Sequence, residues 1–177
     1  MDLKTFTQRV LPTQGRLFRL AKLFLRNREE AEDTLQEVLL KLWTNRQQLE
    51  SYQSVEAFAV QMTRNLCLDK LKSKAYQTTA GDTDWQEIGT ESSSPYQQTE
   101  IADSAALMRQ LMNALPEQQK LILHLRDVEE YSFEEIQQVT GMTVNNIRVI
   151  LSRARKEVRD GYLKANKYES RYWKVIG

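Results

Sequence analysis

The chain is poor in the residues that carry much of enzyme chemistry and in those that break helices. Its 177 residues include one Cys, one His, three Pro and six Gly. A lone cysteine excludes an internal disulfide, and one Cys with one His leaves too few ligands for an ordinary zinc site. No metal or other cofactor is expected. No apolar run approaches the ~18 residues that a membrane span requires. The first residues, MDLKTFTQRV, lack a signal-peptide pattern. A cytoplasmic protein with no direct membrane insertion is therefore expected. An excess of one charge is missing too: 25 Lys and Arg stand against 24 Asp and Glu, for a net charge of +1. That balance excludes a general polyanion binder, so any basic function must come from a local patch.

What is present is helical patterning. Apolar residues recur mostly at helical spacing, which predicts an all-α chain. Two small helical domains joined by a flexible polar linker are expected, the second carrying a helix-turn-helix: residues 1–75, a linker over 76–101, residues 102–165, and a tail over 166–177. In the first domain, Pro12 should interrupt the opening helix. Asn27 is a good N-cap, and Glu30 completes a pattern like a capping box. Ala31, Leu35, Val38, Leu39, Leu42 and Trp43 then form one apolar stripe. A third helix is expected over about Val55 to Ala75, with Phe58, Met62, Leu66 and Leu71 facing inward. The linker is Ser/Thr/Gln-rich and acidic; its Trp85 and Ile88 either dock locally or anchor a partner. In the second domain, Pro116 should open a helix running through PEQQKLILHLRDVEE. Ser132 and Glu135 form a capping box, Gly141 allows a left-handed turn, and Thr143 can cap the last helix.

That last helix holds the local patch. Residues 144–160 carry Arg148, Arg153, Arg155, Lys156 and Arg159 against only Glu157 and Asp160. A short helix, a turn containing Gly, and a longer basic helix make the helix-turn-helix pattern. Such a motif sets the start of its second helix into the DNA major groove. Here those residues are Thr143, Val144, Asn145, Asn146, Arg148 and Val149. Asn and Arg can read base edges through paired hydrogen bonds, while Arg153, Arg155 and Lys156 suit phosphates. The bland alternative is a solvated basic helix face.

The segment LPEQQKLILHLRDVEEYSFEEIQQVTGMTVNNIRVILSRARKEVRD resembles region four of the extracytoplasmic-function (ECF) group of sigma-70-type sigma factors. Two segments of the first domain agree. REEAEDTLQEVLLKLW resembles that family's D-A-E-D-x-x-Q-E-V-F-L-K-L-W helix, and FAVQMTRNLCLDKLK resembles its W-L-x-x-I-A-R-N-x-A-L-D-x-L-R helix. The likeness covers nearly everything but the linker and the tail. Phe58 stands where the family usually has Trp, and Met62 and Cys67 replace Ile and Ala. Val149 and Ile150 occupy positions where many members have Ser or Thr followed by a cation.

The resemblance implies a non-enzymatic sigma factor that binds core RNA polymerase and directs promoter recognition and opening, held by an anti-sigma factor until a signal arrives. It implies a monomer when free, with the β′ clamp helices and the β flap as polymerase contacts and promoter DNA as ligand. Asp33, Gln36 and Glu37 match the clamp-binding positions, with Glu32 and Leu40 nearby. Arg64, Asn65, Asp69 and Lys72 match positions facing the minus-10 non-template strand. The loop over 44–54 would hold a flipped base, and Lys70 and Lys74 would extend a basic track. The minus-35 face would comprise the residues given for the last helix, together with Ser152.

Two other readings compete. A conventional regulator would use the same helix-turn-helix alone, without polymerase. An enzyme would use Glu29, Glu30, Glu32 and Asp33 to bind metal, but these acids point around several faces of one helix and no His-containing ligand spacing accompanies them. The two region-two-like segments favour the sigma factor. His124, Cys67 and Trp43 are expected as packed residues rather than ligands or sensors.

Overall fold

The computed structural model describes residues 1–78 and 98–176, with side chains described over 1–75 and 104–167. Most of the expected linker, including Trp85 and Ile88, lies outside the described residues. Every described element is helical: α1 (Leu3–Val10), a 3-10 turn (Leu11–Thr13), α2 (Gln14–Leu25), α3 (Arg28–Thr44), a second 3-10 turn (Gln48–Ser51), α4 (Val55–Thr78), α5 (Gln98–Ala114), α6 (Glu117–Leu123), a π-helical turn (His124–Val128), α7 (Phe133–Thr140) and α8 (Val144–Ile176). Two compact units result. One holds α1 to α4 with Glu134–Gly141; the other holds α5, α6, the π turn and the chain from Met142 onward.

In the first unit α2 packs on both α3 and α4. Pro12 sits in the 3-10 turn that separates α1 from α2, where its missing N–H breaks the helical ladder. Arg26 ends α2 in the left-handed conformation (φ 56°) and donates its N–H to Lys22 O. α3 begins at once. Asn27 Oδ1 accepts the Glu30 N–H at 3.0 Å, and Glu29 and Glu30 lie at the positive end of the helix. Ala31, Val38 and Leu42 are fully buried, while Leu35, Leu39 and Trp43 are half-buried. Trp43 meets the edge of Phe6, with ring centroids 5.1 Å apart.

The inner face of α4 differs from the expected one. Ala57, Ala59, Val60, Thr63 and Cys67 are buried, and Phe58, Met62, Leu66 and Leu71 are only half-buried. The buried positions of α4 are thus mostly small side chains, and the larger ones keep partial exposure. Phe58 instead stacks on Tyr52, with centroids 4.3 Å apart and planes at 21°. Thr63 satisfies its buried hydroxyl by donating to Ala59 O.

In the second unit α5 and α6 pack on α8. Pro116 is the N-cap of α6, one residue before its first turn. The helix widens at His124, where the Glu129 N–H donates to His124 O and the Tyr131 N–H donates to Leu125 O. Glu130 then takes a positive φ of 60°. The buried His124 Nε2 lies 3.3 Å from the buried Glu129 Oε1. So PEQQKLILHLRDVEE is not one regular helix but α6, a π turn and a left-handed close. α8 is continuous to Ile176 and includes residues 166–176 of the expected tail.

The cap of α3 yields a test. Asn27→Ala should destabilise the start of α3 by about 1 kcal/mol, whereas Asn27→Asp keeps the acceptor and should change little. Hydrogen exchange of the α3 amides in the full chain reads this. Unaltered protection in the Ala variant would mean that the cap contributes nothing.

Candidate nucleic-acid and protein interfaces

The turn before α8 forms as its residue types require. Gly141 has φ 71°, a conformation without steric cost only for glycine. Its N–H donates to Gln137 O at 2.7 Å, closing α7. Thr143 Oγ1 accepts the Asn146 N–H at 3.3 Å, which caps α8.

α8 then divides cleanly. Ile147, Ile150, Leu151, Ala154 and Val158 are buried. Thr143, Asn145, Asn146, Arg148, Val149, Ser152, Arg153, Arg155 and Lys156 are exposed, and Val144 is half-buried. Ile150 thus belongs to the core stripe. A concavity of about 390 Å³ lies along the helix, lined by Phe133, Arg148, Leu151, Ser152, Arg155, Lys156 and Arg159.

Two cations of this surface are held by residues outside the helix. Arg155 donates from Nε to Asp127 Oδ2 at 2.9 Å and from Nη2 to Asp127 Oδ1 at 2.5 Å. This fork pushes the Arg155 pKa above its ordinary value, chiefly through the hydrogen bond to Asp127. The Arg148 guanidinium carbon lies 5.0 Å from the Phe133 ring centroid. Arg126 lies 4.9 Å from the same centroid and donates from Nη1 to Tyr131 O at 2.7 Å. Asp127, Arg126 and Phe133 were not singled out in the sequence, because no local spacing links them to α8.

On α3, Glu32, Asp33, Gln36 and Leu40 are exposed and Glu37 is half-buried. Leu40 is 65% exposed, unusual for a large aliphatic residue in the middle of a helix. Glu32 accepts from Arg28 Nε at 2.9 Å. Glu37 Oε1 lies 2.8 Å from Lys41 Nζ, and its other oxygen lies 3.6 Å from Lys70 Nζ. The hydrogen bond from Lys41 is the main cause that holds the Glu37 carboxyl below its usual range.

On α4, Asn65, Asp69 and Lys72 are exposed, and the half-buried Arg64 donates from Nη1 to Asn65 Oδ1 at 3.3 Å. The expected basic track is divided. Lys70 donates to Thr34 Oγ1 at 2.9 Å, and Lys74 pairs with Glu30. Both lysines therefore engage α3, while Lys72 is exposed. Tyr52, in the loop before α4, is exposed.

The comparisons with known proteins follow this division of the chain. The family model for Sigma-70 region 2 matches residues 10–76, and that for Sigma-70, region 4, matches residues 105–158. The chain belongs to the sigma-70 family. It is 27% identical over 158 residues to ECF RNA polymerase sigma factor SigE of Mycolicibacterium smegmatis, covering 88% of this chain and 60% of that protein. It is also 27% identical over 164 residues to ECF RNA polymerase sigma factor SigM of Mycobacterium tuberculosis, covering 92% of this chain and 80% of that one. The chain thus spans less than two thirds of the length of the SigE relative. Among solved structures, the sigma factor RpoE of Bartonella quintana, in complex with the anti-sigma factor NepR, has the same fold. The TM-score is 0.73 at 22% identity, over 92% of this chain and 98% of that one. Among the described residues, no helix is long and apolar enough to cross a membrane.

Cys67 is a packed residue, as expected. It is buried and free, and burial pushes its thiol from 9.0 up to about 12, with the Lys70 charge opposing that shift. Above about pH 9 the unfolded chain gives up a proton that the folded chain keeps. Stability should therefore fall as pH rises from about 9 toward 12, and Cys67→Ala should remove that part of the slope. Iodoacetamide at pH 8 should label Cys67 only after denaturant is added. Rapid labelling of the folded chain would show an accessible thiolate.

Proposed function

We propose that this chain is a sigma factor that binds core RNA polymerase and directs promoter recognition and opening. The observation that carries this reading is the ordered pair of region-matched helical segments, the second of which presents a cationic face on the helix that follows the Gly141 turn. The reading is not enzymatic: binding energy offsets the cost of strand opening, and no nucleotide hydrolysis is required.

The roles divide by surface. The exposed face of α3, with Asp33, Gln36 and Glu37 and with Glu32 and Leu40 beside them, docks on the β′ clamp helices. An acidic face around one exposed leucine suits a protein surface that offers cations around an apolar pocket. Arg64, Asn65, Asp69 and Lys72 face the minus-10 non-template strand. Tyr52, stacked on Phe58, supplies a ring against which a base from the loop side can pack. Thr143, Val144, Asn145, Asn146, Arg148 and Val149 enter the minus-35 major groove. Ser152, Arg153, Arg155 and Lys156 follow the phosphates. The region-four segment contacts the β flap. An anti-sigma factor holds the chain until a signal arrives; the Bartonella protein of the same fold is itself a sigma factor in such a complex.

Transcription from a minus-35/minus-10 promoter by core polymerase, with and without the chain, tests the reading as a whole. The docking assignment has its own test. Asp33→Arg combined with Gln36→Ala changes two exposed side chains, and such changes usually alter stability by only about 0.5 kcal/mol. The double variant should remain folded and lose core binding. A folded double variant that binds core like the parent would show that α3 docks through another face.

Base and phosphate contacts should fail differently. Asn145→Ala or Asn146→Ala should change preference among minus-35 sequences by about 1–3 kcal/mol for each lost paired contact. Arg153→Ala should weaken all sequences alike and lower the salt slope by about one unit. Holoenzyme binding across promoter variants and salt concentrations measures both. Uniform weakening by the Asn variants would remove them from base contact.

A further inference from the structure

The Arg148 side chain has several rotatable bonds and ends in a planar fork. A fork reads a base edge only when its plane and direction match that edge, so a freely rotating arginine at an exposed position is a poor reader. Arg148 is exposed, yet its guanidinium lies 5.0 Å from the Phe133 ring centroid. That is within the range in which the negative face of a ring attracts a cation.

The ring has a second neighbour. Phe133 is half-buried and is the first residue of α7, three positions after the left-handed Glu130. Arg126 approaches the same ring to 4.9 Å and is tethered by its hydrogen bond to the carbonyl of the buried Tyr131. Phe133 and Arg148 both line the concavity along α8. A residue that served only to fill space there could be any apolar side chain. What an aromatic adds is a charged-group contact with a preferred orientation.

We propose that Phe133 is a positioning residue for minus-35 recognition, its ring holding the Arg148 guanidinium in the orientation that reads a base edge. The proposal rests on the reading of Arg148 as a base-contacting residue. Phe133 itself touches no DNA; it acts through Arg148.

The test uses holoenzyme reconstituted from core polymerase and the full chain. Binding is measured on promoters that differ by single base pairs across the minus-35 element, at several salt concentrations. Arg148→Ala identifies the base pair whose discrimination depends on Arg148. At that base pair, Phe133→Leu should reduce discrimination by about fivefold or more, the lower end of what one good base contact provides. Phe133→Tyr, which keeps a ring, should restore it. The salt slope should stay unchanged in Phe133→Leu, because the Arg148 charge remains. The double variant Phe133→Leu/Arg148→Ala should discriminate no worse than Arg148→Ala alone.

Should Phe133→Leu fold poorly, pentafluorophenylalanine at position 133 keeps the shape and reverses the charge distribution of the ring face. It should cause the same loss of discrimination. Equal weakening of all promoters by Phe133→Leu, or unchanged discrimination where Arg148→Ala abolishes it, would overturn the proposal. If Arg148→Ala itself shifts every promoter equally, the base-contact reading of Arg148 fails first, and the positioning role fails with it.

Discussion

The buried stripe of Ile147, Ile150, Leu151, Ala154 and Val158 governs what α8 can do. These five side chains stand at i, i+3, i+4, i+7 and i+11, one face of a helix, so burying them fixes the rotation of the helix about its axis. Once that rotation is set, Asn145, Arg148, Ser152, Arg155 and Lys156 can only face outward. A polar substitution in the stripe would weaken the core and with it the hold on that rotation. Ile150 lies in that core, while its neighbour Val149 is exposed.

Charge on the first unit is apportioned in a comparable way. α3 carries more acids than its own cations can match. Glu30 and Glu37 are engaged by Lys74 and Lys70 from α4, and Lys70 also reaches the Thr34 hydroxyl. Those pairs join the two helices and use up charge that would otherwise face solvent. Asp33 and Gln36 remain on the outer side with Leu40. The same acidic helix therefore has an inner edge bound to α4 and an outer edge presented to solvent. Pairs of this kind on a surface contribute little individually, roughly 0–1 kcal/mol, so their effect is more on side-chain placement than on stability.

Features set by residues a few positions apart were legible in the sequence. The Asn27 cap, the interruption at Pro12, the left-handed Gly141 and the Thr143 cap each depend on one residue type and a partner within four positions. The outer face of α8 was legible for the same reason, since helical spacing determines it. The inner face of α4 was not. Large apolar residues were expected inside, but the buried positions include Ala57, Ala59 and Cys67, and Phe58 lies against Tyr52. The π turn was read as regular helix because its hydrogen bonds depend on how His124, Leu125 and Tyr131 are packed. The pairing of Asp127 with Arg155, 28 residues apart, leaves no mark in any local pattern.

α8 continues well past the region-four match, which ends at residue 158, and remains helical to Ile176. At 1.5 Å per residue its 33 residues make a rod of about 50 Å, of which about 27 Å lies beyond Val158. A continuous helix of that length behaves as a lever with its fulcrum at the packed stripe. A small tilt at the Arg148 end becomes a larger sweep at the far end. A partner gripping the far end would in turn apply torque at the Arg148 end without touching it.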